Sequence, residues 1–226
     1  MARRNFKLGF IVTISLLLPF FQFSLVCAAA TTPATRVVIN EIQTNGTGTG
    51  TTGQEFIELK NVSNESIDIS GWKVLYVSAS STTNPLVASS VTNANFSSIL
   101  TGAKTLVTFG AGTILYPNGF VVLTPEPYLN DLPVRITYTA SSSGLLSASG
   151  ASLAMVDAIG VIQDFVGWGA KCALYEESPA VLPVGGSSIQ RKVVDGATQD
   201  TDNNLLDFEP LTTPTPQTEN TAPTPP

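Results

Sequence analysis

Any chemistry in this 226-residue chain has to run without imidazole, because the sequence contains no histidine. A Ser-His-Asp triad, a Cys-His pair and a histidine-ligated zinc site are therefore excluded. Carboxylates remain. A pair of acids can protonate a glycosidic oxygen and activate water against the sugar, and the candidates for such a pair are Glu41, Glu55, Glu58, Asp157 and Asp164. The competing reading of the same residues is solvent-facing strand positions and turns, and no catalytic residue is assigned. Asp157-Ala158-Ile159-Gly160 in particular reads as a hairpin corner in which Gly160 supplies a positive φ. The run VVDGATQDTDNNLLDF raises calcium, since Asp200, Asp202 and Asn204 alternate as ligands do in calcium loops, with Asp195 and Asp207 nearby. The match is partial: counted from Asp200, the sixth and twelfth positions hold Leu205 and Leu211, where an EF-hand loop needs glycine and glutamate. Calcium is the one cofactor the residues suggest; otherwise none is expected.

The elements that must carry these groups are short. VVINEIQ (from Val37), EFIELKN (from Glu55) and the run from Trp72 to Val77 are rich in β-branched, aromatic and aliphatic residues over lengths too small for ordinary helices. In EFIELKN, Ile57 and Leu59 alternate with Glu58 and Lys60, which predicts a half-buried strand with its charges on the outer face. Asn61, Asn64, Ser66, Ser70 and Gly71 supply turns between the runs. A chain of 226 residues, 43% hydrophobic and only 12% charged, is enough for one sandwich-sized core plus termini, with a polar surface made largely of Ser, Thr and Asn.

INEIQ, then EFIELKN, then DISGWKV resemble the opening of the lamin tail domain. The resemblance continues at NGFVVLT (from Asn118) and at GASLAMVDAIGVIQDFVGWG (from Gly150), and closes with SSIQRK and DTDNNLLDF. It implies an all-β, immunoglobulin-like antiparallel sandwich over residues 31–208, in the secreted bacterial branch of the family. It also implies that the acidic run is a terminal turn with Phe208 as its apolar anchor. Trp72 and Trp168, each preceded by glycine within strand patterns, are read as core anchors against the alternative of ligand-stacking aromatics.

The first 30 residues read as a secretory signal peptide, with Arg3, Arg4 and Lys7 before an apolar run from Leu8 to Val26 and small residues from Cys27 to Ala30. An uncleaved membrane anchor is the alternative; after cleavage no stable membrane span is expected. Cleavage would leave Cys172 as the single cysteine, read as a small buried hydrophobe, with no intramolecular disulfide available. It would also leave 8 basic against 17 acidic residues, a net charge of −9. Scattered basic residues on an acidic chain make nucleic acid an unsuitable partner.

Past Phe208 the sequence EPLTTPTPQTENTAPTPP is predicted to be a disordered, extended Pro/Thr spacer or a frayed end, residues 209–226, with no second domain after it. Asn45, Asn61, Asn64 and Asn95 sit in glycosylation sequons. The expected function is that of an exported, non-catalytic interaction module, secreted or at the cell surface. Its partner would be a cell-surface glycan or protein, held by polar loops through Thr47, Thr49, Thr51, Asn84, Asn93 and Asn95, although these loops could equally be unliganded connections. The alternatives are a carbohydrate-active or phosphoester-hydrolase accessory and an envelope component that self-associates through sheet edges.

Overall fold

Runs of alternating apolar residues become strands throughout the computed structural model, which describes residues 37–47, 54–78, 86–87, 103–125, 135–139 and 145–220. In chain order the strands are β1 (Val37–Gln43), β2 (Phe56–Asn61), β3 (Ile67–Asp68), β4 (Lys73–Ser78), β5 (Leu86–Val87), β6 (Lys104–Thr108), β7 (Ile114–Leu115) and β8 (Phe120–Pro125). They continue as β9 (Arg135–Tyr138), β10 (Ala151–Val156), β11 (Ile162–Trp168), β12 (Leu174–Tyr175), β13 (Ser188–Arg191), β14 (Val193–Val194), β15 (Ala197–Thr198) and β16 (Phe208–Leu211). One helical turn, Asn204–Asp207, precedes β16, with the Asn203 side chain accepting from the Leu206 amide at its start.

Six strands form one sheet in the order β16-β13-β1-β2-β8-β9, and four form a second in the order β11-β10-β4-β6. Pairing is antiparallel except between β8 and β9, in the first sheet, and in the small β5–β12 pair. The period of two decides what lies between the sheets. Ile57, Leu59, Val121, Leu123 and Ile189 enter the core from the first sheet, and Val74, Tyr76, Leu153, Met155, Val166 and Trp168 from the second. The intervening residues Leu75, Ala154, Val156 and Phe165 pack with Leu174 in a smaller cluster on the far side of the second sheet. The result is an all-β, immunoglobulin-like antiparallel sandwich. Trp168 is fully buried and donates its indole N–H to the Ser147 carbonyl at 2.9 Å, while Trp72 packs half-buried against the same core.

Strand β1 carries a bulge. Ile39 pairs with Leu59 and Glu41 with Glu58, leaving Asn40 as the extra residue. An inserted residue resets the alternation, so Ile39 and Ile42, three apart, both reach the core while Asn40 and Glu41 face the other side.

The expectation for EFIELKN is corrected here. The two faces of β2 are as predicted, but the charged one is not in solvent: Glu58 is 0% exposed and Lys60 4%. Residues past Phe208 cover it. Phe208–Leu211 pairs with β13 as an edge strand, and the chain then crosses the outer face of the first sheet as far as Asn220, which is buried. The segment has no apolar core of its own, yet its main-chain amides and polar side chains meet the sheet's buried polar groups.

Gly167 in β11 is required by close approach. A Cβ there would overlap the Leu174 carbonyl oxygen and stand 2.7 Å from the Tyr175 Cβ, because β12 lies directly over this point. Gly167→Ala should lower the free energy of unfolding by about 1–3 kcal/mol, as forced overpacking usually does. Urea denaturation of the two chains measures it.

Candidate functional site

Four of the five acids that could have formed a catalytic pair are buried and hydrogen-bonded inside the fold, which corrects their reading as solvent-facing positions. Glu55 enters at the start of β2 and accepts from the Tyr138 hydroxyl at 2.8 Å and from the amides of Leu145 and Leu146 at 2.9 and 2.7 Å. Glu41 accepts from the Ser188 hydroxyl at 2.5 Å and from the Thr215 amide at 3.0 Å. Glu58 accepts from Asn40 Nδ2 at 2.7 Å and from the Gln217 amide. Burial pushes all three carboxyls above their ordinary range, Glu58 up to about 8. Asp157 is the fifth and does sit at a hairpin corner: its Oδ1 accepts from the Ile159 and Val161 amides, and Gly160 has φ +88°.

The densest charge in the molecule surrounds Arg191. This residue shares the inward parity of Ile189 on β13, so its side chain enters between the sheets and is 0% exposed. Its Nη2 donates to both oxygens of Asp164 on β11, at 3.0 and 2.9 Å, tying one sheet to the other. Nη1 donates to Asp200 at 3.1 Å, Asp207 at 3.4 Å and the Gln199 carbonyl at 3.2 Å, Nε donates to the Ile39 carbonyl at 2.9 Å, and the guanidinium lies 4.9 Å from the Phe208 ring centroid. Asp164 in turn accepts from the Ile39 amide at 2.6 Å. Burial opposes the Arg191 charge, but Asp164, Asp200, Glu176 and Asp207 outweigh it and hold the guanidinium protonated. Glu176 goes the other way: burial, then repulsion from Asp164, pushes its carboxyl strongly up. Phe208 is the apolar anchor expected of it.

The proposed calcium set comes apart in three dimensions. Asn204 is fully buried, and its Oδ1 accepts from the Gly167 and Glu176 amides at 2.9 and 3.0 Å, so its oxygen is committed to the backbone. Asp202 is exposed, whereas Asp200 turns inward toward Arg191. The acids that converge are Glu176, Asp200 and Asp207, with one oxygen from each within 4.8 Å of the others. Three such donors fall short of the six to eight that calcium takes, and the Arg191 guanidinium already supplies positive charge at Asp200 and Asp207. Millimolar calcium is therefore expected to leave the melting temperature unchanged. A rise of several degrees in a calcium titration followed by calorimetry would show that the three acids admit an ion despite the guanidinium.

The loop residues chosen as ligand contacts fall mostly outside the described residues: Thr49, Thr51, Asn84, Asn93 and Asn95 lie there. Thr47 is exposed beside a hollow of about 260 Å³ that also touches Gln43, Gln54 and Phe56. The sequon at Asn61 is closed to glycosylation, because Asn61 is fully buried and its Nδ2 donates to the carbonyls of Glu65, Leu115 and Tyr116. Cys172 is buried, and loss of solvent raises its thiol to about 11, the behaviour of a packed hydrophobe. An open apolar hollow of about 520 Å³, lined by Ile69, Ile114, Leu115, Phe120 and Ile136, has Tyr116 at its rim, 68% exposed.

Arg191 was the residue missed from sequence. SSIQRK shows only that Arg191 shares the parity of Ile189; which face of that strand is buried, and which acids meet the guanidinium, is set by distant parts of the chain.

Two stacked sheets joined by an internal ionic clamp define a class of β-sandwich domain. The Lamin Tail Domain family model matches residues 30–170, more than half the chain, and the chain belongs to that family. Strands β13 and β16, with Arg191, lie beyond the matched segment and complete the first sheet. A search of curated proteins found no match. Among solved structures, the chain is similar to a DUF4876 family protein from Bacteroides thetaiotaomicron VPI-5482, at 12% identity and a TM-score of 0.53, covering 85% of this chain and 75% of that one. At that identity the likeness speaks for the fold alone.

Proposed function

We propose that this lamin tail domain protein is an exported interaction module with no chemistry of its own, acting at the cell surface or outside the cell on a glycan or protein partner. The observation that carries the reading is the fate of its acids. Glu41, Glu55, Glu58 and Asp164 are each consumed by hydrogen bonds within the sandwich, so none faces a cleft where a substrate and water could meet. Export rests on the basic, apolar, small-residue order of the first 30 residues. Two of the basic residues, Lys60 and Arg191, are buried and paired with acids, which leaves still less positive charge for a phosphate backbone. Among the described residues no helix is long and apolar enough to cross a membrane.

The test is to incubate the purified protein with glycan and phosphoester panels and with cell-wall material. The expected result is no turnover and retention on the wall fraction. Multiple turnovers on either panel would overturn the non-catalytic reading, and an assembly that grows with concentration in sedimentation, without retention, would move the function to self-association.

A further inference from the structure

The face of the first sheet that turns away from the core is built to hold a polypeptide. Asn40, Glu41 and Glu58 are fully buried there and Lys60 nearly so, a costly arrangement unless each group meets a partner. The partners come from one short stretch that makes a turn, with the Thr218 amide donating to the Thr215 carbonyl at 3.0 Å and Gln217 at φ +63°. The Thr215 amide and hydroxyl donate to Glu41 at 3.0 and 3.3 Å, and the Gln217 amide donates to Glu58. Lys60 donates to Glu219 at 2.6 Å, and Asn220 exchanges two hydrogen bonds of 3.0 Å with Asn40 while donating to the Arg191 carbonyl at 2.6 Å. Glu41 and Glu58 thus read main-chain N–H groups, which any non-proline residue supplies, and Lys60 and Asn40 read an acid and an amide that follow. Pro216 and the left-handed Gln217 occupy the two central positions of that turn.

Apart from Asn220 the segment is half-buried or exposed, and no large apolar side chain anchors residues 212–220. Three hollows border it: about 260 Å³ beside Pro214 and Pro216, about 520 Å³ beside Gln217 and about 580 Å³ beside Glu219 and Asn220. The segment fills only part of the track it lies in. A stretch held by a few hydrogen bonds, with little apolar burial, belongs to the part of a structure that opens first.

We propose that this face is a binding site for a turn-forming, proline-containing acidic peptide, which residues Thr215–Asn220 occupy in cis and which a peptide of the same pattern occupies in trans when they lift away. The inference goes beyond the interaction-module reading and does not depend on it, since a glycan-binding loop elsewhere would leave this face unchanged. A tethered segment competes at an effective concentration of about millimolar, so the intact chain should take up added peptide only weakly.

The experiment uses the full chain carrying Glu219→Ala and Asn220→Ala, which delete the side chains that meet Lys60, Asn40 and the Arg191 carbonyl and leave the turn as it is. A fluorescent peptide of residues 212–220 should bind this variant at least tenfold more tightly than it binds the unaltered chain. The same peptide with alanine at positions 219 and 220 should bind neither. Absence of binding to a variant that still melts cooperatively, or equal binding of the alanine-substituted peptide, would overturn the proposal. Hydrogen exchange on the unaltered chain tests it without any substitution. The amides of Thr215 and Gln217 should exchange ahead of Ile57 and Leu59 in β2, and exchange of all four together would mean that the segment never lifts and that the site is not available in trans.

Discussion

Arg191→Met should lower the free energy of unfolding by about 3–5 kcal/mol, the usual cost of leaving a buried ion unpaired. The methionine can fill the hydrophobic part of the space beside Phe208, so the loss would come mainly from the acids left behind. Asp164 loses both of its bonds to the guanidinium, Asp207 and Asp200 lose one each, and the first two are buried. The variant can relieve this by protonating Asp164, whose carboxyl burial already raises and the guanidinium no longer lowers. Its folded-state proton affinity then exceeds that of the unfolded chain still further, so the deficit should be largest at neutral pH and shrink toward pH 4. Asp164→Asn, which keeps the shape and removes one charge, should cost less. Denaturant unfolding at pH 7 and pH 4 measures all three chains. A deficit under 1 kcal/mol at pH 7 would mean that water reaches the cluster and that the clamp between the sheets is not what holds them.

Stability should fall as pH rises from about 5 to about 8, the reverse of a protein whose carboxylates are stabilised by ion pairs. Glu58 has its carboxyl raised from 4.5 to about 8, first by burial and then by the neighbouring Glu41 charge, against the pull of the Gln217 amide, Asn40 and Lys60. Glu41 and Glu55 are raised in the same direction, each first by burial. The sign follows from proton counting. Between the unfolded value near 4.5 and the folded value near 8 the native state binds more protons than the unfolded one, so each step up in pH favours unfolding. At about 1.4 kcal/mol per tenfold change in proton affinity, Glu58 alone accounts for a fall of a few kcal/mol across this window. Glu58→Gln should reduce the slope by its own share, with Glu176 and Asp164, raised in the same direction first by burial, contributing to what remains. Urea midpoints at pH 5, 6, 7 and 8 test both statements, and a midpoint that climbs with pH would show that the amide donors hold these acids ionised after all.

Both effects arise where sequence and structure part company. The period-two alternation in β2 was legible because neighbouring side chains on a strand must point to opposite faces, whatever else the fold does. The fate of the outer face was not, because it depends on Thr215 and Gln217, 174 and 159 residues from the acids they meet. The Asn40 bulge leaves only a trace, two polar residues in a row between Ile39 and Ile42, and which of them is the extra one is decided by the pairing of Ile39 with Leu59 and Glu41 with Glu58. For Arg191, the partners lie at separations of 9, 16 and 27 residues, with the Ile39 carbonyl 152 away, and no local pattern encodes such a convergence. The Asp200, Asp202, Asn204 spacing misled for the same reason. Alternate positions along a loop do not bring three oxygens to one point when Asn204 starts a helical turn and spends its oxygen on two amides.

The sequence by itself determined the all-β class, the corner at Asp157 and the tryptophans packed on the core, because strand alternation, turn chemistry and the burial of large aromatics act over a few residues. It also ruled out histidine chemistry by composition alone. Only the tertiary structure decided which charges are buried, since the burial of Glu58 and Arg191 is set by what other parts of the chain bring against them, and that information resides in no single stretch.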